Sequence, residues 1–244
     1  MTNKYMYFVA NWKMFGDLGT LNTLKKVITF INKIKKHKFK LVYCPPSTLI
    51  YPLAKILKKT SIEVGAQNCH QNDYYGAYTG QLNSMMLKNV GAKYVILGHS
   101  ENRKSGENDR LINLKISAAI KSGLKVIFCI GETFSEKRKK ITKKILTKQI
   151  SKGLNKIKSK KNILIAYEPV WAIGSGLIPK HSELFETVDY IKSKVKGAKV
   201  LYGGSVNPKN INYLKNINNI DGFLIGGASH DSNNFIDIIK KTYN

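Results

Sequence analysis

Three side chains in this sequence could together move a proton beside a carbonyl group: Lys13, His99 and Glu168. A carboxylate can take a carbon-bound proton. A neutral imidazole can donate a hydrogen bond to the oxyanion that develops, while an ammonium offsets the charge of an enediolate and of a nearby phosphate. Singly, each is weak evidence. A lone histidine at a strand end is more often structural, and Glu168-Pro169 alone would read as the start of a loop. Gly203-Gly204-Ser205 and Gly226-Gly227 form a second set. Glycine lets backbone N–H groups come close to an anion. Either pair alone could be a tight turn, but two pairs in adjacent loops point to phosphate. Histidine, cysteine and carboxylates show no metal-ligand spacing, so polarisation is expected from side chains.

These residues need a scaffold that aims them at one place. Short β-branched or aromatic runs occur at Tyr5–Asn11, Lys40–Tyr43, Ile62–Gly65, Tyr94–Gly98, Lys125–Ile130, Asn162–Tyr167, Lys199–Tyr202 and Gly222–Ile225. Amphipathic stretches lie between them, including Leu21–Ile34, Leu111–Lys121, Ile141–Ile157 and Leu184–Val195. In the last, Leu184, Thr187, Val188 and Ile191 share a face at helical spacing. Strict alternation implies a parallel sheet. Eight units in 244 residues match a closed (β/α)8 barrel, predicted here as one α/β domain over residues 1–244. A doubly wound open sheet is the alternative, but the first strand-to-helix turn lacks G-x-G-x-x-G. In a barrel, chemistry gathers where strands end. Strand 1 ends at Asn11-Trp12-Lys13, strand 4 at His99-Ser100-Glu101, strand 6 at Glu168-Pro169, and strands 7 and 8 at the two glycine pairs.

Composition limits the remaining classes. Apolar residues make up 43% of the chain, enough for a sizeable core. No apolar run reaches the roughly 18–20 residues that span a bilayer. The opening MTNKYMYFVANWKMFG lacks the charge–apolar–cleavage order of a secretory leader. Cys44, Cys69 and Cys129 match neither a zinc pattern nor a disulfide framework, and are expected to be small buried hydrophobes in a reducing, cytoplasmic setting. The net charge of +26 is the outlying property. It is compatible with polyanion binding, but only Arg103, Arg110 and Arg138 are arginines. Lysines such as Lys33, Lys35, Lys36 and Lys38 fall on polar helix faces rather than in an aromatic-laced tract. Nucleic-acid binding beyond a non-specific electrostatic affinity is not expected. The joint abundance of lysine, asparagine and isoleucine suggests AT-rich codon usage.

The sequence resembles the triosephosphate isomerases almost end to end. The similarity is carried by Val9-Ala10-Asn11-Trp12-Lys13-Met14, Gly76-Ala77-Tyr78-Thr79-Gly80 and Ile96-Leu97-Gly98-His99-Ser100-Glu101. Cys129-Ile130-Gly131-Glu132, Ala166-Tyr167-Glu168-Pro169-Val170-Trp171-Ala172-Ile173-Gly174-Ser175-Gly176, Tyr202-Gly203-Gly204-Ser205-Val206 and Gly226-Gly227-Ala228-Ser229 complete it. The resemblance implies a TIM barrel that interconverts dihydroxyacetone phosphate and D-glyceraldehyde 3-phosphate without a cofactor, in glycolysis and gluconeogenesis. It implies that Glu168 shuttles the proton and that His99 is the neutral electrophile, a pairing long taken as the model case of tuned acid–base chemistry. Asn11 and Lys13 would bind substrate, and the backbones of Gly174, Ser205, Gly226 and Gly227 would hold its phosphate. Pro169–Leu177 resembles a closing lid. Glu101 is similar to a buried carboxylate behind Lys13 and His99, organising the site in preference to moving protons. A homodimer is implied through the Gln71–Gln81 loop, with Thr79 reaching the neighbouring subunit's active site.

Three positions depart from the usual pattern. Asn102 stands where a first arginine is common, Gln81 where the third loop usually has glutamate, and Leu177 where the lid usually ends in lysine. None falls on a reacting residue; they bear on dimer strength and lid kinetics. A catalytically silent basic barrel serving as a binding scaffold is the alternative function.

Overall fold

The computed structural model describes residues 4–34 and 38–244. Lys35 and Lys36 therefore lie outside the described residues, as do residues 1–3. Eight strands run β1 (Met6–Asn11), β2 (Phe39–Cys44), β3 (Glu63–Ala66), β4 (Tyr94–Leu97), β5 (Lys125–Ile130), β6 (Ile163–Tyr167), β7 (Lys199–Tyr202) and β8 (Gly222–Ile225). Every neighbouring pair is parallel, and β8 closes onto β1 through Phe8 opposite Phe223. The predicted closed barrel is the observed fold, and the open sheet is excluded.

Helices surround the ring: α1 (Leu24–Asn32), α2 (Ile50–Leu57), α3 (Ser84–Asn89), α4 (Ser100–Lys104), α5 (Asp109–Lys121), α6 (Phe134–Arg138), α7 (Thr142–Gly153), α8 (His181–Lys194), α9 (Ile211–Leu214) and α10 (Ser232–Tyr243). The face predicted on α8 is the buried one: Leu184, Thr187, Val188 and Ile191. Each apolar member contributes about 1.5–3 kcal/mol by leaving water. The first predicted helix divides into a 3₁₀ turn, Gly19–Thr23, followed by α1. The predicted Ile141–Ile157 helix stops at Gly153, and the chain turns at Lys156 with a left-handed φ of 58°. Likewise β4 stops before Gly98, whose φ of +72° leaves the extended region.

Period-two alternation along the strands builds two separate cores. Phe8, Leu41, Val95, Phe128, Ile165, Val200 and Phe223 belong to the layer shared with the helices. Val9, Val42, Cys44, Tyr94, Ile96, Ile127, Cys129, Leu164, Ala166, Leu201 and Leu224 form a second cluster, filling the ring. Two residues beyond the last of these, each column reaches the carboxyl-terminal rim. There Val9 is succeeded by Asn11, Ile96 by Gly98, Cys129 by Gly131, Ala166 by Glu168, Leu201 by Gly203 and Leu224 by Gly226. Four of those six rim positions are glycine. Along these six columns the plug of apolar side chains therefore ends in open space, with only Asn11 and Glu168 projecting; the β2 column continues from Cys44 to Pro46.

Candidate active site

That open space is a cavity of about 330 Å³. Asn11, Lys13, His99 and Glu168 line one side, and Gly174, Ser205, Gly226 and Gly227 line the other. The residues predicted from separate strand ends thus meet in one place. Thr79 and Glu101 do not line it.

Glu168 is buried, at 2% exposed. Close approach by glycine makes room for it. A Cβ on Gly131 would stand 1.7 Å from the Glu168 carbonyl oxygen, and one on Gly203 would stand 2.9 Å from its Cγ. The backbone is fixed by the Glu168 N–H, which donates to Ile130 O at 2.8 Å. One carboxylate oxygen, Oε2, accepts from Ser100 N–H at 3.1 Å. The other, Oε1, lies 3.1 Å from His99 Nε2 but makes no hydrogen bond of acceptable geometry. The contact is close, but not a formed bond. Burial drives the carboxyl pKa up; His99, Ser100 N–H, Lys13 and Arg103 oppose the rise without cancelling it. The result is a stronger base than an exposed glutamate.

His99 caps α4, and its Nδ1 accepts from Glu101 N–H at 3.3 Å. A nitrogen that accepts carries no proton, so the neutral ring bears its proton on Nε2, on the Glu168 side. Glu101 Oε2 lies 3.6 Å from Nδ1, but this distance becomes an ion pair only if the ring is charged.

Lys13 takes a left-handed φ of 54°, uncommon for a residue with a side chain. Its N–H donates to Asn11 Oδ1 at 3.0 Å, and its carbonyl accepts from Gln67 Nε2 at 2.8 Å. This clamp directs the lysine chain across the cavity, where Gly226 leaves space: a Cβ there would stand 3.4 Å from Lys13 Cε. The ammonium meets Glu101 Oε1 at 2.6 Å. The predicted burial of Glu101 is not found; its side chain is 57% exposed in this chain. It lies in the first turn of α4 and reaches outward over Lys13 rather than into the ring.

The segment after Glu168 is held at both ends. Val170–Ala172 forms a 3₁₀ turn whose Val170 N–H donates to Glu132 O at 3.0 Å. Ser205 ties the far part down: its Oγ donates to Ala172 O at 2.7 Å and accepts from Gly176 N–H at 3.2 Å. Between them Gly174 and Gly176 have φ of +68° and +76°. Leu177 is exposed, and Thr79, Gly80 and Gln81 lie on an exposed loop. Arg103 donates to the carbonyls of Gly98 and Cys129 and pairs with Asp109 at 2.6 Å, fixing the β4 and β5 ends. Asn102 is half-buried and makes no side-chain bond among those observed here.

Sequence reasoning missed a buried network beneath the Pro169–Leu177 segment. Glu132 is 1% exposed and accepts from Trp171 Nε1 at 2.9 Å and from the Tyr167 hydroxyl at 3.1 Å. Lys137 places its ammonium 3.5 Å from the centre of the Trp171 ring and 2.7 Å from Glu183. The quoted run ending in Glu132 contained the signal, but spacing alone cannot show that two loops meet. Ser100 was also missed as the donor to Glu168, because a backbone N–H leaves no trace in residue type.

The three cysteines are buried, and burial pushes the Cys69 thiol up to about 12. Among the described residues, no three histidine, cysteine or acidic side chains come together as a metal site would need. No described helix is long and apolar enough to cross a membrane.

The profile of the family described as Triosephosphate isomerase matches residues 6–242. The triosephosphate isomerase of Thermodesulfovibrio yellowstonii is 42% identical, with 96% of this chain and 98% of that protein aligned. That of Dictyoglomus thermophilum is 39% identical over 95% and 97%. A crystal structure of triosephosphate isomerase from Bartonella henselae superposes with a TM-score of 0.88 at 34% identity, covering 98% of this chain and 100% of the other. A closed eight-stranded barrel, a carboxylate, an imidazole and an ammonium converging at its rim, and similarity along nearly the whole length lead to one assignment: this chain belongs to the triosephosphate isomerase family.

Proposed function

We propose that Glu168 is the base, His99 the electrophile and Lys13 the charge-offsetting cation of the family's reaction. That reaction, the interconversion of dihydroxyacetone phosphate and D-glyceraldehyde 3-phosphate, is this chain's function. The observation that carries the residue roles is the pairing at the rim. A buried carboxylate of raised basicity faces the Nε2 of an imidazole whose Nδ1 already accepts a hydrogen bond. Glu168 takes the proton from one substrate carbon and leaves an enediolate. His99 Nε2–H donates to the oxygen that gains charge, and Glu168 returns the proton to the neighbouring carbon. Lys13 and Asn11 bind substrate, Glu101 orients Lys13, and the backbones of Gly174, Ser205, Gly226 and Gly227 hold the phosphate, for which the Ser205 N–H must leave Ala172 O, its partner here at 3.0 Å. No cofactor enters this scheme.

The silent-scaffold alternative is not favoured, because the reacting side chains line a single cavity. We read residues 1–244 as one catalytic domain, cytoplasmic and acting in glycolysis and gluconeogenesis, and as one half of a homodimer. Support for the dimer lies in exposed apolar side chains on two loop segments. Met14 is 99% and Leu18 68% exposed, and the third loop offers Tyr74, Tyr75 and Tyr78. Such a concentration marks an interaction site.

A coupled assay on Glu168→Gln tests the roles. The variant is expected to fold and to lose about 10²–10⁴-fold in kcat, the usual contribution of a positioned acid or base. In the unaltered protein, kcat/KM should fall with acid through a pKa above the ordinary carboxylate value. Near-normal turnover by folded Glu168→Gln removes Glu168 from the mechanism.

A further inference from the structure

The positive charge is not spread evenly. Residues 137–161 hold eleven lysines and one arginine and no acidic residue. Their net charge per residue is about 4.5 times the chain mean, twelve over 25 residues against 26 over 244. Apart from Lys137, none of these cations forms a salt bridge among the described residues. Lys140, Lys144, Lys148, Lys152 and Lys156 recur every fourth residue, and all five are exposed. Within α7 that spacing sets them on one side at steps of about 6 Å. Left-handed turns at Lys140 and Lys156 end the row just beyond the helix.

Beside the row, between α5 and α7, runs a groove of about 460 Å³. Arg110, Lys148 and Lys152 supply its cations, and Asn113, Ser151 and Asn155 its neutral polar groups. The one acid on its wall, Asp109, is already paired with Arg103. Asn113 Nδ2 donates to Gly153 O and Asn155 O, each at 2.9 Å. Those carbonyls would otherwise present the negative end of α7 to the groove.

We propose that this α5–α7 face is a docking surface for the phosphodiester backbone of a nucleic acid, read without regard to sequence. An unpaired row of ammonium groups flanking a polar groove suits a linear chain of phosphates spaced 3.4 Å along each strand. Aromatic side chains, on which bases would stack, are absent from residues 137–161, so the contact is to backbone alone. The tract exposes no large apolar side chain that could enter a bilayer, and α5 adds the single Leu114. That favours nucleic acid over an anionic membrane. The exposed acids Glu186 and Asp189 on α8 bound the face on its other side.

The test is equilibrium binding of a 30-base-pair DNA duplex across salt concentrations. A complex engaging about six phosphates loses about 10³-fold in affinity between 50 and 200 mM salt. The variant Arg110→Gln, Lys144→Gln, Lys148→Gln, Lys152→Gln should flatten the log–log slope by about 0.9 for each lost contact, three to four in all. A control with the same charge change on the α1–α10 surface, Lys25→Gln, Lys26→Gln, Lys33→Gln, Lys240→Gln, should keep the original slope. None of the eight positions lines the catalytic cavity, so unchanged isomerase activity reports intact folding. Equal weakening by both variants would assign binding to overall charge and overturn the localised face. No binding at 50 mM salt, or capture by vesicles of anionic phospholipid with none by DNA, overturns it too.

Discussion

Replacing Trp171 with phenylalanine isolates one hydrogen bond under the lid. The ring area beneath Lys137 is largely kept, while the indole N–H is lost. Of the two side-chain donors Glu132 then keeps the Tyr167 hydroxyl, which its two oxygens share at 3.2 and 3.1 Å. A hydrogen bond to a charged group is worth about 1.5–3 kcal/mol, and a neutral one about 0.5–1.5. The cost should therefore depend on the ionisation of Glu132, whose pKa burial already raises. For a carboxyl raised in the folded chain, the native state binds more protons than the unfolded one. Its contribution to stability is fully present below the ordinary value of about 4.3 and is lost as pH rises through the folded pKa. Removing the indole donor raises that pKa further and widens the window upward.

The variant should thus be destabilised by about 2 kcal/mol where Glu132 is ionised, and by less, toward about 1 kcal/mol, where it is protonated, so that the cost falls between pH 8 and pH 5. For a chain of this length, 2 kcal/mol lowers Tm by about 4–8 °C. Urea unfolding at both pH values, at fixed protein concentration, measures the difference. In a Glu132→Gln background the same substitution should cost about 1 kcal/mol at either pH. A cost independent of pH in the unaltered background, or a Tm within 1 °C of the parent, refutes an ionised Glu132 held by Trp171.

Three other outcomes follow from the site and its surroundings. With a net charge of +26 and an anionic substrate, kcat/KM should fall as an inert salt rises from about 10 to 150 mM, shrinking the Debye length from about 30 to 8 Å; a flat profile would mean that the lysines do not steer. Thr79→Arg, in the exposed third loop, should give a weak or inactive dimer by light scattering with parallel assay, and a fully active monomer would deny Thr79 a role in trans. Deleting Ile173–Ser175 should cut isomerisation by orders of magnitude and raise the ratio of inorganic phosphate to isomerised product in NMR, because an open lid exposes the enediolate to water. An unchanged ratio with a collapsed rate would assign the lid to binding or to placement of the base.

The sequence located the strands closely because parallel strands buried on both faces read as continuous apolar runs. Strands β5, β7 and β8 match their expected limits, and the others shift by a residue or so. Helix ends were less legible. The α7 pattern continues to Ile157, but Gly153 and the turn at Lys156 end it first. Within the site, residue types at strand ends were enough to collect Asn11, Lys13, His99 and Glu168. Contacts that depend on two loops meeting in space, such as Trp171 on Glu132, were out of reach of spacing. Glu101, 57% exposed in this chain, is a related case. Position in the first turn of α4 is legible, whereas the direction of a side chain over a neighbouring loop is set by tertiary packing.

The glycines at the rim join the fold to the chemistry. The inward columns of β4, β5, β7 and β8 each end in glycine, and that of β6 ends in Glu168. A larger residue at Gly131 would collide with the backbone of Glu168, and one at Gly203 with its side chain. The same small residues that leave the cavity open therefore also allow the base to be buried. Burial without a full set of hydrogen bonds costs stability, since Oε1 has no formed partner. That cost is tolerable because the carboxylate still meets Ser100 N–H and the opposing charges of Lys13 and Arg103. More donors around Glu168 would stabilise the folded chain but lower the basicity on which proton abstraction depends. An incompletely satisfied carboxylate beside an imidazole proton is thus the arrangement expected where the buried base must act, and the surrounding barrel supplies the rigidity that holds it there.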